Sequence, residues 1–412
     1  MSFASVEGLL FLLIGCTVTA NLPGLWPRRV ALTVLNAFFL YLLVPDVPSL
    51  GVLAGVLLSG YFAGLWLKAH PSKLLLAGYL VALLAAFVVL KRYAFLALFL
   101  PAWLMEHPIS IVGLSYMLFR QIHFVVDMYG RSIESPSLWS YANYQLSLFS
   151  LLSGPIQRYE EFQEFWRSPR PAFQDRHDLL KAYLRILVGV VKMALIAAAC
   201  LAEYSRNARW FLDGAKAGSL TQWGALGHFA GVFYLYPAYV YFNFSGYCDL
   251  VIGAAALVGL KLPENFDRPY LARNMIDFWS RWHRTLSLWI RDYVFTPLYK
   301  GLAQRWPSAA STSAIACFFI ALTLAGVWHG STWNFVVFGL LQGVGVSVAK
   351  LWENRLLRRR GRPGLKQYLA SRNIRIAATV ANFHFACMTF LFFPAELDQC
   401  LRLLANVSKA AL

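Results

Sequence analysis

Between Arg305 and Lys350 the chain has no Asp, Glu, Lys or Arg, a run of 44 residues without a formal charge. At about 1.5 Å rise per residue, each half of that run can cross a hydrocarbon core of roughly 30 Å as a helix. The run therefore predicts a helical hairpin with both ends on the same side, and the stretch "GVWHGSTW" (326–333) falls at its turn. His329 is the only group in the run that titrates near neutral pH. A polar ring placed unpaired at membrane depth is costly, so a lone histidine there marks a pathway or a reactive site. The plainer alternative is an interfacial residue, hydrogen-bonded and inert in a Trp-lined turn.

The rest of the chain agrees with a membrane setting. Only 14% of its 412 residues are charged and 58% are hydrophobic, whereas a soluble domain carries about 25% charged residues. Apolar windows at 8–27, 30–44, 47–67, 74–90, 109–126, 187–202, 222–248, 250–260 and 374–393 join the uncharged run. Together they predict an all-α polytopic membrane protein with about ten to twelve crossings, plus amphipathic or re-entrant helices. The first window has no basic residue before it and no clear small-residue cleavage site, so it is expected to be a retained helix rather than a signal peptide. With no linker or fixed-period repeat, residues 1–412 are expected to form one integral domain. It has N-terminal helices over 1–130, an interfacial segment over 131–185 and core helices over 186–412.

A net charge of +17 could suggest nucleic acid, but the basic residues lie in connections between apolar spans. Eight of them, from Arg355 to Arg375, are read as one loop, cytoplasmic by the positive-inside rule. Such segments suit anionic headgroups or an acidic soluble partner, and no nucleic acid is expected. Six scattered cysteines without a C-x-x-C pair read as small buried hydrophobes. No His-Glu-x-x-His or similar spacing exists, so no metal site is expected.

A second imidazole stands out in "MIDFWSRWHRTLSLWIRDYVF" (275–295). Projected as one amphipathic helix, Asp277, Arg281, Arg284 and Arg291 share one face, and His283 projects away from them beside Trp279 and Ile290. Burial keeps an imidazole neutral, and a neutral imidazole can take a proton from a hydroxyl. His70, His107, His177 and His228 fall in loops or at span ends and read as structural or solvated. His123 is read as structural, within reach of Asp127 one turn on.

These blocks carry a resemblance. The segment from "GYCDLVIGAAALVGLKLPENFDRPYLARN" through the "RWH" block, followed by "GVWHGSTWNFVVFGLLQG", resembles the membrane-bound O-acyltransferases. "LLSGPIQRYEEF" and "SYMLFRQIHFVVDMY" are similar to further stretches of the bacterial branch, which contains alginate O-acetyltransferase and the D-alanyl transfer protein of teichoic acid modification. The resemblance covers about residues 110–395. It implies a helical bundle with a central funnel or tunnel, in which an acyl group passes from a thioester to a hydroxyl. It further implies that His329 is the catalytic base and that His283 orients the acceptor or steadies the oxyanion. Trp282, Trp328, Asn334, Asp249 and Arg281 are the substrate-binding positions expected from it. Two departures stand out: Asn243 and Cys248 replace the family's first Asp and second Ser, and "TPLYKGLAQRW" replaces the alginate-type continuation. Both the latter and the chain length lean toward the D-alanyl branch.

The resemblance implies no tightly bound cofactor. The donor is a thioester, on a phosphopantetheine carrier protein or as acetyl-CoA, on the cytoplasmic side. An extracytoplasmic or single-pass partner then carries the acyl group to an envelope polymer, at the bacterial cytoplasmic (inner) membrane. A transporter or flippase of a lipid-linked saccharide is the competing class, since intramembrane histidines and interrupted helices fit it too.

Overall fold

A computed structural model describes residues 5–411 apart from 45, 94–95, 97, 102–105, 107–108, 110, 169–175 and 213–221. His107 and part of the interfacial segment thus lie outside the described residues. Among the described residues the secondary structure is helical and no strand occurs. In chain order the α-helices are α1 (Val6–Asn21), α2 (Leu25–Leu43), α3 (Val47–Ala69), α4 (Lys73–Leu90), α5 (Leu114–Tyr129), α6 (Leu138–Gln145), α7 (Tyr159–Arg167) and α8 (Arg176–Val191). They continue with α9 (Ala198–Leu212), α10 (Gln222–Leu257), α11 (Met275–Arg281), α12 (Arg284–Ile290), α13 (Thr296–Arg305), α14 (Ala310–His329), α15 (Trp333–Ala370), α16 (Arg372–Phe390) and α17 (Leu397–Ala411).

Six helical stretches among the described residues are long and apolar enough to cross a membrane: 47–69, 73–90, 176–212, 223–257, 307–329 and 333–370. The chain is a multi-pass, all-α membrane protein. The windows at 222–248 and 250–260 are one helix, α10, which stays helical through Pro237. Proline lacks the N–H that would bond the carbonyl four residues earlier, a loss that membrane helices tolerate; separately, the Tyr270 hydroxyl donates to the carbonyl of Pro237 itself at 2.7 Å.

The chain divides into two compact units. The first comprises Met1–Ala194 and Phe244–Glu264. Its polar residues sit on a helix that hydropathy alone would leave unexplained. Arg120 on α5 is fully buried and donates to the carbonyls of Tyr144 and Gln145 at 2.6 and 2.7 Å, satisfying the C-terminal end of α6. His123 meets the Tyr144 hydroxyl through Nε2 at 2.7 Å, and that hydroxyl donates to the Gln157 carbonyl. The motif "FRQIHF" therefore holds the end of α6 and, through the Tyr144 hydroxyl, the Gln157 carbonyl of "GPIQRY".

The second unit comprises Leu195–Asn243 and Asn265–Leu412. Its centre is an aromatic cluster in which Phe278, Trp279 and Trp282 pack with Leu322, Phe338, Val346, Ala386 and Phe390. The hairpin expected from the uncharged run is present: α14 ends at His329 and α15 begins at Trp333. The two arms touch at Gly326 and Gly339, where a Cβ on either residue would strike the other's Cα. Small residues let membrane helices approach this closely.

Two expectations are corrected. The basic stretch after Lys350 is not a loop: Arg355 to Lys366 continue α15, broken at Gly361, whose φ is +61°, and Arg372 and Arg375 lie on α16. Charged residues with good helix propensity carry the helix on until glycine and Pro363 bend it. The segment 275–295 is also not a single amphipathic helix. It splits at Trp282–His283 and continues into a π-helical turn over Arg291–Phe295.

Candidate active site

The split places the second imidazole. His283 adopts φ 44°, ψ 53°, the left-handed region that non-glycine residues rarely occupy. Such strain costs about 1–3 kcal/mol and persists only where the surroundings over-determine it. Here one loop residue supplies much of that determination. The Asn265 carbonyl accepts from the Arg284 N–H at 2.9 Å, and the Arg281 carbonyl accepts from the Asp267 N–H at 2.9 Å. The Asn265 side-chain oxygen accepts from the Thr285 N–H at 3.2 Å and the Thr285 hydroxyl at 2.9 Å. The same oxygen lies 3.1 Å from His283 Nδ1. Because His283 gives α12 no side-chain cap, Asn265 caps it from outside the helix.

His283 is 1% exposed. Burial and, after it, the electrostatic influence of His329 push its pKa well below the ordinary imidazole value. Trp328 stands beside both, with ring centroids 6.5 Å from His283 and 4.8 Å from His329.

His329 closes α14 and is half-buried. Phe393 and Phe338 meet its ring nearly edge-on at 5.3 and 6.0 Å. Gly330 follows, and a Cβ there would overlap the Phe335 ring, so only glycine lets Phe335 cover the turn. Asn334 is buried and spends its amide locally: the Thr332 hydroxyl donates to its oxygen at 2.5 Å, and its nitrogen donates to the Phe392 carbonyl at 3.2 Å. It holds the imidazole's frame together.

Trp282 is buried within aromatic rings, stacked on Phe278 at 5.5 Å and edge-on to Phe266 at 5.1 Å. Arg281 is paired with Asp277 at 2.8 Å. Burial pushes the Asp277 carboxyl up, but bonds from the Arg281 guanidinium and the Arg273 N–H outweigh it and hold the carboxyl below its usual value. Asp249 belongs to the first unit. There it accepts from Arg185 at 3.1 Å and Lys192 at 2.6 Å, while Arg185 also grips Glu264 through two bonds of 2.6 Å. The second unit brings His283, Trp328 and His329 together and holds Trp282 and Asn334 in the same aromatic packing, while Arg281 pairs with Asp277; Asp249 belongs to the first unit and is held in its own charge network. Among the described residues no three His, Cys, Asp or Glu side chains could hold a metal ion.

Sequence reasoning missed Asn265, Thr285, Phe338 and Phe393. Asn265 had a signal of a kind: it sits between Pro263 and Pro269 in a loop, where asparagine competes well for backbone partners.

The arrangement suits acid–base chemistry in a dry aromatic frame: one strained, neutral imidazole near a second that closes a membrane hairpin. Known proteins point the same way. A sequence profile described as MBOAT, membrane-bound O-acyltransferase family, matches residues 79–390. The chain is 28% identical over 348 residues to "Teichoic acid D-alanyltransferase" of Bacillus subtilis, covering 83% of this chain and 82% of that one. It is 28% identical over 297 residues to the protein of the same name from Streptococcus thermophilus, covering 71% and 70%. Against "Probable alginate O-acetylase AlgI" of Pseudomonas putida it is 27% identical over 329 residues, covering 74% of this chain and 62% of that one. With three quarters of its length inside that profile, the chain belongs to the membrane-bound O-acyltransferase family and is an acyltransferase.

Proposed function

We propose that this acyltransferase moves a D-alanyl group from a thioester on the cytoplasmic side to a hydroxyl of an extracytoplasmic envelope polymer or relay protein. The observation that carries the reading is the convergence of His283 and His329 in one aromatic frame of the second unit. His329 takes the proton of the acceptor hydroxyl, and the oxygen attacks the thioester carbonyl. The tetrahedral adduct collapses with loss of the C–S bond, and the thiolate leaves with the proton held by the imidazolium. The family assignment sets aside transport of a lipid-linked saccharide without acyl chemistry.

D-alanyl is preferred to acetyl because the D-alanyltransferase of Bacillus subtilis is matched over more of its length than the alginate O-acetylase of Pseudomonas putida. An acetyl group from acetyl-CoA is the second reading, favoured by the similar identity to the latter. Either donor is anionic, and the helical basic stretch from Arg355 to Arg375 offers complementary charge. No tightly bound cofactor is needed for this reaction. A cytoplasmic (inner) membrane of a bacterium, with a single-pass or extracytoplasmic partner receiving the acyl group, completes the reading.

The test is transfer by purified protein in lipid nanodiscs, given labelled D-alanyl-carrier protein or labelled acetyl-CoA. His329-dependent release of label from the carrier, and not from CoA, is expected. Consumption of acetyl-CoA alone would replace D-alanyl with acetyl, and label that stays on both donors would overturn the reading.

A further inference from the structure

We propose that Asn265 is a positioning residue that fixes the tautomer of His283, keeping the ring proton on Nδ1 and leaving Nε2 as a hydrogen-bond acceptor for the hydroxyl to be acylated. The inference rests on the reading that His283 and His329 serve acyl transfer, and it assigns His283 one of two otherwise open roles.

The amide of Asn265 decides the tautomer. An asparagine oxygen and nitrogen cannot be told apart by shape, so the partners must decide. A backbone N–H only donates, and the Thr285 N–H points at the Asn265 side-chain atom at 3.2 Å. That atom is therefore the oxygen. His283 Nδ1, 3.1 Å from the same oxygen, must then donate to it, so Nδ1 carries the hydrogen. A buried, neutral ring has one N–H, and it is spent on Asn265. Nε2 has no hydrogen to offer a developing oxyanion. It can only accept, which suits a group that holds the acceptor hydroxyl and orients its oxygen.

The strained backbone strengthens the case. Asn265 also bonds Arg284 and Thr285, so the residue that sets the ring's tautomer also holds the left-handed turn that aims it. Loss of Asn265 would thus loosen orientation and tautomer together, and the test must separate them.

Histidine-selective 15N labelling of the full chain in nanodiscs reads the tautomer directly, with His283 assigned by subtraction of a His283→Asn spectrum. A protonated Nδ1 and a bare Nε2 are expected; the reverse pattern overturns the proposal. Kinetics supply the second arm. Asn265→Leu should lower kcat at least about tenfold with little change in KM for the donor. Asn265→Asp keeps the acceptor oxygen but adds a charge that favours the imidazolium, so it should recover activity at alkaline pH and move the acidic limb of the rate profile upward by about one unit. Equal impairment of both variants with the wild-type pH profile would reduce Asn265 to a structural role. Full transfer by His283→Asn would instead overturn the function reading while leaving the spectroscopic result intact.

Discussion

At residue scale the site is built from one costly choice, the left-handed backbone of His283, offset by the bonds around Asn265. Because burial holds the folded pKa of His283 below the unfolded value of about 6.5, the unfolded chain binds more protons under acid. Its contribution to stability is complete above about pH 6.5 and is lost as the pH falls toward the folded pKa. Thermal unfolding in detergent should therefore show a melting temperature that declines below pH 6.5. His283→Asn, which tolerates a left-handed backbone, should flatten that slope; an unchanged slope would show that other groups cause it. His329→Ala should lower transfer by about 10²-fold or more while insertion and melting temperature stay near wild type, measured by labelled-donor turnover. The sequence made both imidazoles visible, His329 because it interrupts an uncharged run and His283 because it projects away from a charged face. Asn265 was not legible, since one polar residue in a loop has no periodicity to betray its partner 18 positions away.

Among the elements, the hairpin of α14 and α15 was readable because a long uncharged run has few alternatives in lipid. Its closeness was not, since contact between Gly326 and Gly339 depends on which faces meet. Replacing Gly339 with Val should separate the arms or unfold them, at about 1–3 kcal/mol, and shift His329 away from Phe338 and Phe393. Lower melting temperature and lower kcat together are expected from thermal denaturation and turnover. Wild-type values of both would contradict the packing. The break at His283 escaped a helical projection because the residues on either side keep helical spacing. Only the loop bonds from Asn265 and Asp267 show why the helix stops. A buried chain of bonds then ties the pieces: Trp279 donates to Gln342 at 3.2 Å, Gln342 to Thr389 at 2.8 Å, and Thr389 to the Ala386 carbonyl at 2.7 Å. Gln342→Leu should cost about 1–3 kcal/mol by leaving its neighbours unsatisfied, again read as melting temperature.

On the scale of the whole molecule, membrane class and family were legible in composition and in the paired histidine blocks, whereas the assignment of residues to units was not. Asp249 shows the difference. The family resemblance implied substrate binding, and the structure adds that its carboxylate is engaged by Arg185 and Lys192 within the first unit. Asp249→Asn should weaken that partly buried network, lowering the amount of folded protein in the membrane more than KM. A large KM change at normal abundance would instead assign Asp249 to substrate binding. The central claim is that His283 and His329 act as a unit, and the double-mutant cycle on turnover addresses it most directly. If they do, His283→Asn and His329→Ala together should cost little more than His329→Ala alone, since groups serving one step are strongly non-additive. Losses that multiply independently, or turnover that survives both changes, would contradict the account.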